Sequence, residues 1–393
     1  MTYNNAISVN PNDENDVLCG GVDLHRTTNG GQTWKKMTRW FAPRTDADYA
    51  HADQHCIVHA ESTADLVYVM NDGGMDVSQD GGKSWNNRSN GLATNMFYDI
   101  AVAATDKDMF GGGMQDNGTW LTLDGKADNF QETTGGDGGF CAIDPTDKLH
   151  IYTSSQGMTI NRFRQSDNWA QDIGPAENRD DRPWMAYIAL DPTRPKRVFT
   201  GSRRVWRTLN DAASWTDVSG VLDGSFVTCI EITRADPDRI YVGTENGGVF
   251  RSDDGGTSWT GNIASSVMPG RTITRLRSPA GNKDIVYATV ANFGNSHLFR
   301  STDGGQSWTD VDNGNLPDAP HHGISIPESD DDKLFVGGDA GVFMSKDAGA
   351  TWHNISSNLP ATMVIDLVLH EATDMLLAAT YGRSIWKLDV SSL

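Results

Sequence analysis

Ser301-Thr302-Asp303-Gly304-Gly305-Gln306-Ser307-Trp308 is the stretch whose recurrence decides the architecture. Thr27 to Trp34, Ser78 to Trp85, Ser252 to Trp259 and Ser345 to Trp352 repeat its pattern of hydroxyl, Asp or Asn, Gly and hydroxyl-Trp. Thr208 to Trp215 is a weaker copy, with Ala212 at the glycine position. The pattern reads as a tight hairpin turn. Asp or Asn at the third position can accept bonds from the following backbone amides, and glycine adopts positive φ without strain. The Trp then anchors the turn against a neighbouring sheet.

Two degenerate copies fill the gap between Trp85 and Trp215. One ends near Phe130 (Thr122, Asp124) and the other at Trp169 (Ser166, Asp167). Eight box positions between Trp34 and Trp352 then stand at intervals of roughly 45 residues, the length of a four-stranded unit. A repeat of this kind cannot bury its apolar face alone, so neighbouring units must stack. Alternation of apolar and polar residues predicts strands over Phe226-Ile232, Arg239-Thr244, Gly248-Ser252 and Ser258-Asn262 in the sixth repeat. Met363-Leu369, Met375-Thr380 and Ser384-Val390 read as three further strands after the last box. Helical periodicity is absent, and the fold class is all-β.

The box is the Asp-box, or bacterial neuraminidase repeat, and the chain resembles that superfamily of β-propellers over essentially its whole length. The resemblance implies a single β-propeller spanning residues 1–393, with eight complete repeats and three strands of a ninth. Thr2 to Asn5 would supply the missing outer strand of a nine-bladed ring, and a single ring of eight or nine blades is expected. The alternative is that terminal repeats belong to a second propeller or a larger assembly. The superfamily includes xyloglucanase-type glycoside hydrolases and sortilin-type receptors, so both a glycan and a protein or peptide are expected partners. It is largely secreted or surface-exposed, which implies an extracellular or cell-surface location. No signal peptide is read at Met1-Thr2-Tyr3.

Composition narrows the partners. A formal net charge of −20 argues against nucleic acid and anionic membranes. The apolar runs are too short for membrane insertion. Cys19, Cys56, Cys141 and Cys229 fall in predicted inner strands of four repeats and read as free thiols packed as small hydrophobes. Their spacing matches no zinc motif.

Loops entering the innermost strand, and loops between the second and third strands, open on one propeller face. His51-Ala-Asp-Gln-His55 is the most unusual of them. Alternate residues of an extended segment share a face, so His51, Asp53 and His55 are candidates to converge. The expected role is a hydrogen-bonded, ligand-facing network without a cofactor; a divalent cation there is the alternative. Neighbouring loops add Asp72 in Asn71-Asp72-Gly73-Gly74, Gln115, Asp116 and Asn117, Asp137 in Gly136-Asp137-Gly138, and Asp23. Read on one ring, these aspartates come from four adjacent blades.

Clustered carboxylates are what glycosidic hydrolysis needs, one to protonate the leaving oxygen and one to activate water or attack. Trp40, Tyr98, Trp184, Phe293 and Tyr381 are candidate platforms for sugar rings. Asp72 and Asp137 are similar to the aspartate loops that carry catalysis in xyloglucanase-type enzymes, which implies that they are the catalytic pair. A sialidase role is excluded, because no Phe/Tyr-Arg-Ile-Pro segment stands near the N-terminus. A non-catalytic scaffold of sortilin type is the competing reading.

Overall fold

A computed structural model describes residues 5–61, 63–164, 168–264, 266–312 and 314–393. Thr2 to Asn4, and the Ser166-Asp167 half of the degenerate fourth box, lie outside the described residues. The fold is a β-propeller: among the described residues nine antiparallel sheets follow one another along the chain, each with its strands in sequence order. The blades are numbered 1 to 9 in chain order. Blade 7 is typical, with strands Ile273–Arg277, Val286–Val290, Leu298–Ser301 and Thr309–Asp310. In blade 6 the expected outer strand at 258–262 shrinks to isolated bonds, such as the Thr260 amide to the Arg251 carbonyl at 2.8 Å. The last three strands lie at Val364–His370, Met375–Thr380 and Ile385–Asp389.

The chain divides into two compact units, 1–94 and 95–393. Blades 1 and 2 form the first and pack through Leu18, Leu24, Ile57, Val67 and Trp85. Blades 3 to 9 form the second. Their innermost strands contact one another in succession, and the last, Val364–His370, contacts the first, Ala101–Ala103. Closure is explicit in the backbone: Phe97 N–H bonds to the Thr380 carbonyl at 3.0 Å, and Met96 bridges Tyr381. Phe97, Ile100, Phe110 and Met114 pack on Leu377 and Ala379 at the same seam. The ring that closes therefore has seven blades, which corrects the eight- or nine-bladed ring inferred from counting repeats.

Apolar burial in the second unit lies between blades. Tyr287 and Leu298 of blade 7, for example, pack on Ile324, Val336, Phe343 and Trp352 of blade 8. The box supplies the outer fastening. In blade 7 the Ser301 hydroxyl donates to Asp303 Oδ1 at 2.8 Å and accepts the Gly305 amide at 2.8 Å. The Ser307 amide and hydroxyl donate to the two Asp303 oxygens at 2.9 and 2.6 Å. Trp308 then reaches back so that its Nε1 donates to the Ile263 carbonyl at 3.0 Å. An arginine links neighbouring boxes at the rim: Arg207 donates to the Gly255 carbonyl at 2.6 Å and Arg251 to that of Gly304 at 2.5 Å.

These bonds to Ser307 hold the Asp303 carboxyl down at about 2. A depressed carboxyl contributes stability above its unfolded pKa, and that stability is lost as pH falls toward the folded value. Asn29 and Asn210 fill the same role in their own boxes. Asp303→Asn should therefore leave the fold intact at neutral pH. Its melting temperature should fall less steeply than that of the wild type between pH 4 and pH 2, measured by circular dichroism. Parallel curves would count against the assignment.

Cys141 and Cys229 are buried in innermost strands, Cys19 lies in the second strand of blade 1, and Cys56 is exposed. All four are free thiols.

Candidate functional site

On the second unit, a left-handed turn carries Gln115, Asp116 and Asn117 between the second and third strands of blade 3. Asp116 has φ 57° and Gly118 φ 70°. A Cβ on Gly118 would meet the Thr134 carbonyl at 2.1 Å, so only glycine fits. The turn places the Asp116 amide on Asp137 Oδ1 at 2.8 Å. Asp137 enters blade 4, and its Oδ2 accepts the Gln156 side-chain amide at 2.6 Å. Gln115 Oε1 accepts the hydroxyls of Tyr98, at 3.3 Å, and of Tyr381 from blade 9. The two phenol rings stand 6.0 Å apart. Burial, the Tyr381 phenol and the Asp137 carboxylate push the Tyr98 hydroxyl well above its ordinary pKa, so it stays a donor. Asn117 braces the turn by donating to the Gln115 carbonyl at 3.1 Å.

Trp184 precedes the innermost strand of blade 5 and is 61% exposed. Its carbonyl accepts the Gly157 amide at 2.9 Å, next to the Gln156 that grips Asp137. A carboxylate, three amide side chains, two phenols and an open indole thus come from four successive blades of one ring. Sequence singled out all of them except Gln156.

The ring axis holds a group that sequence reasoning missed. Arg275 donates to Asp99 at 2.7 Å and contacts Asp366 at 3.1 Å, with all three side chains buried. Its guanidinium lies 5.4 Å from the Phe140 ring and 5.3 Å from that of Tyr187. Asp99 also accepts the Cys141 amide at 2.9 Å. A charge inside an inner strand, Arg275 in Ile273-Thr-Arg-Leu-Arg277 and Asp366 in Val364-Ile-Asp-Leu367, was the available signal. Above this plug a cavity of about 270 Å³ opens, lined by Tyr98, Phe140, Trp184 and Phe226 among others.

On the first unit the segment from His51 to His55 is not the uniformly extended stretch expected. Asp53 takes φ 63°, which breaks the extended alternation that would align the three. His51 is buried, its ring against Gly73. His55 Nε2 instead lies 2.5 Å from Asp72 Oδ1. No group of three ligand-type side chains stands in position for a metal among the described residues. Asp23 is structural: its buried carboxylate accepts the Thr38 hydroxyl and the Trp40 amide and pairs with Lys36 at 2.6 Å. Asp23, Asp53 and Asp72 belong to the first unit and Asp116 and Asp137 to the second, so the five do not come from one ring.

A family model described as Sortilin, neurotensin receptor 3, matches residues 203–313. No curated protein matches the chain. Among solved structures, the crystal structure of the Niastella koreensis GH74 enzyme aligns with 99% of this chain and 60% of its own, at 16% identity and a TM-score of 0.64. The chain spans 60% of that enzyme's length. The likeness is one of fold: a propeller of Asp-box type that resembles sortilin-type and GH74 propellers.

Proposed function

We propose that this chain is an extracellular or cell-surface propeller that binds a polysaccharide and processes it. The observation that carries the reading is the joining of Asp137, Gln115, Gln156 and two phenols with the exposed indole of Trp184 on one ring. Carboxylate, amide and phenol groups satisfy sugar hydroxyls, while an indole covers the apolar face of a sugar ring. The carboxylate assigned to acid–base work on this ring is Asp137. No cofactor is invoked.

Trp184→Ala tests the binding half. On a panel of xyloglucan, mannan and xylan, the full-length wild type should retain at least one polymer. The variant should bind it about tenfold more weakly at an unchanged melting temperature, the scale of one aromatic contact. Equal retention of wild type and variant would contradict the assignment. The sortilin-type match over 203–313 favours a second reading, a scaffold for a protein or peptide. That reading predicts no retention on any glycan.

A further inference from the structure

The glycan-binding face says nothing of how a chain is gripped, whereas the cavity above the plug does. We infer that this axial pocket of the second unit receives the terminal sugar ring of the glycan, so that recognition is directed to a chain end. The inference rests on the polysaccharide reading above and adds the part of the substrate that is bound.

Three features support it. First, the pocket is blind. Arg275 forms its floor, and the buried ion pairs from Arg275 to Asp99 and Asp366, packed between Phe140 and Tyr187, close the axis with side chains from five of the seven blades. A glycan cannot thread through the ring, and only an end can enter. Second, a volume of about 270 Å³ lies just below the range of roughly 300–1,000 Å³ for small-molecule sites. It suits a single ring and excludes a polymer lying lengthwise. Third, the walls match a sugar. Phe140, Trp184 and Phe226 offer ring faces, and Arg203 backs Phe226 at 4.7 Å from its centroid. Glu245 and Thr272 supply a carboxylate and a hydroxyl on the rim.

That rim is held in place. The Phe226 amide donates to the Glu245 carboxylate at 3.4 Å, the Glu245 amide donates to the Phe226 carbonyl at 3.0 Å, and the Thr272 hydroxyl donates to the Glu245 carbonyl at 3.2 Å. Blades 6 and 7 therefore present the polar edge as a fixed unit, with little ordering left for binding to impose.

Two full-length variants test this by titration calorimetry, with xyloglucan polymer and the oligosaccharides of its exhaustive digestion as probes. Thr272→Phe fills the mouth, and Glu245→Gln removes the rim charge at constant shape. The wild type should bind the oligosaccharides, which carry most of the chain ends at equal mass. Both variants should lose about tenfold or more of that affinity, with melting temperatures unchanged. If Thr272→Phe proves unstable, Glu245→Gln alone decides. Oligosaccharide affinity equal to wild type in the folded variants, with the polymer still bound, would overturn the pocket and leave the polysaccharide reading standing. Failure of the wild type to bind either probe would overturn both.

Discussion

Arg275→Ala is expected to destabilise the second unit by about 3–5 kcal/mol, because it strands two buried carboxylates without their counter-charge. Asp99 and Asp366 both bond to this one guanidinium at the ring axis. Burial, with the nearby Asp366 charge, already pushes the Asp99 carboxyl well above its ordinary pKa, against the pull of Arg275. Removing Arg275 raises it further. A carboxyl raised in the folded state contributes stability that is present below its unfolded pKa and is lost as pH rises through the folded value. The variant should therefore be relatively more stable in acid than at neutral pH, opposite in sign to the box aspartate Asp303. Urea unfolding at pH 5 and pH 7 checks both points. A variant that unfolds like the wild type at both pH values would remove the plug from the account.

The second large effect is on turnover. Asp137→Asn should lower product release from a bound glycan by roughly 10²–10⁴-fold, the usual contribution of a general acid or base. Asparagine keeps one oxygen for the Asp116 amide, and its Nδ2 can donate to Gln156 once that side-chain amide turns its oxygen inward. Binding and melting temperature should therefore hold while the rate falls. Reducing-end release over time, measured at a substrate level that saturates both proteins, separates the two effects. A rate within about threefold of wild type in the variant would take Asp137 out of the chemistry.

Much of the blade was legible because it is built from local chemistry. The box of Ser301 to Trp308 is closed by bonds within seven residues, so its type and place follow from residue identity. The strands after the last box were legible for the same reason, since alternation and turns delimit them. The blade count of the ring was not. Every blade carries similar signals, and closure depends on Met96 and Phe97 meeting Thr380 and Tyr381, almost 300 residues away, with no repeat of their own to mark them. The site divides in the same way. Gln115, Asp116 and Asp137 stood out because glycines flank their turns, while Gln156 did not, since its role arises only when the fold of blade 4 brings it to Asp137, 19 residues away. At His51 to His55, the positive φ of Asp53 overrode an alternation argument that holds only for extended chain. Arg275 looked like one more polar residue in a strand until the ring brought Asp99 and Asp366 to it.

One measurement tests the central claim most directly: product release by the full-length wild type on xyloglucan, mannan and xylan, with retention of each polymer followed in parallel. Retention of one polymer with release of shorter chains from it is the predicted result. Neither retention nor release on any of the three would contradict the account and move the function to a protein or peptide partner.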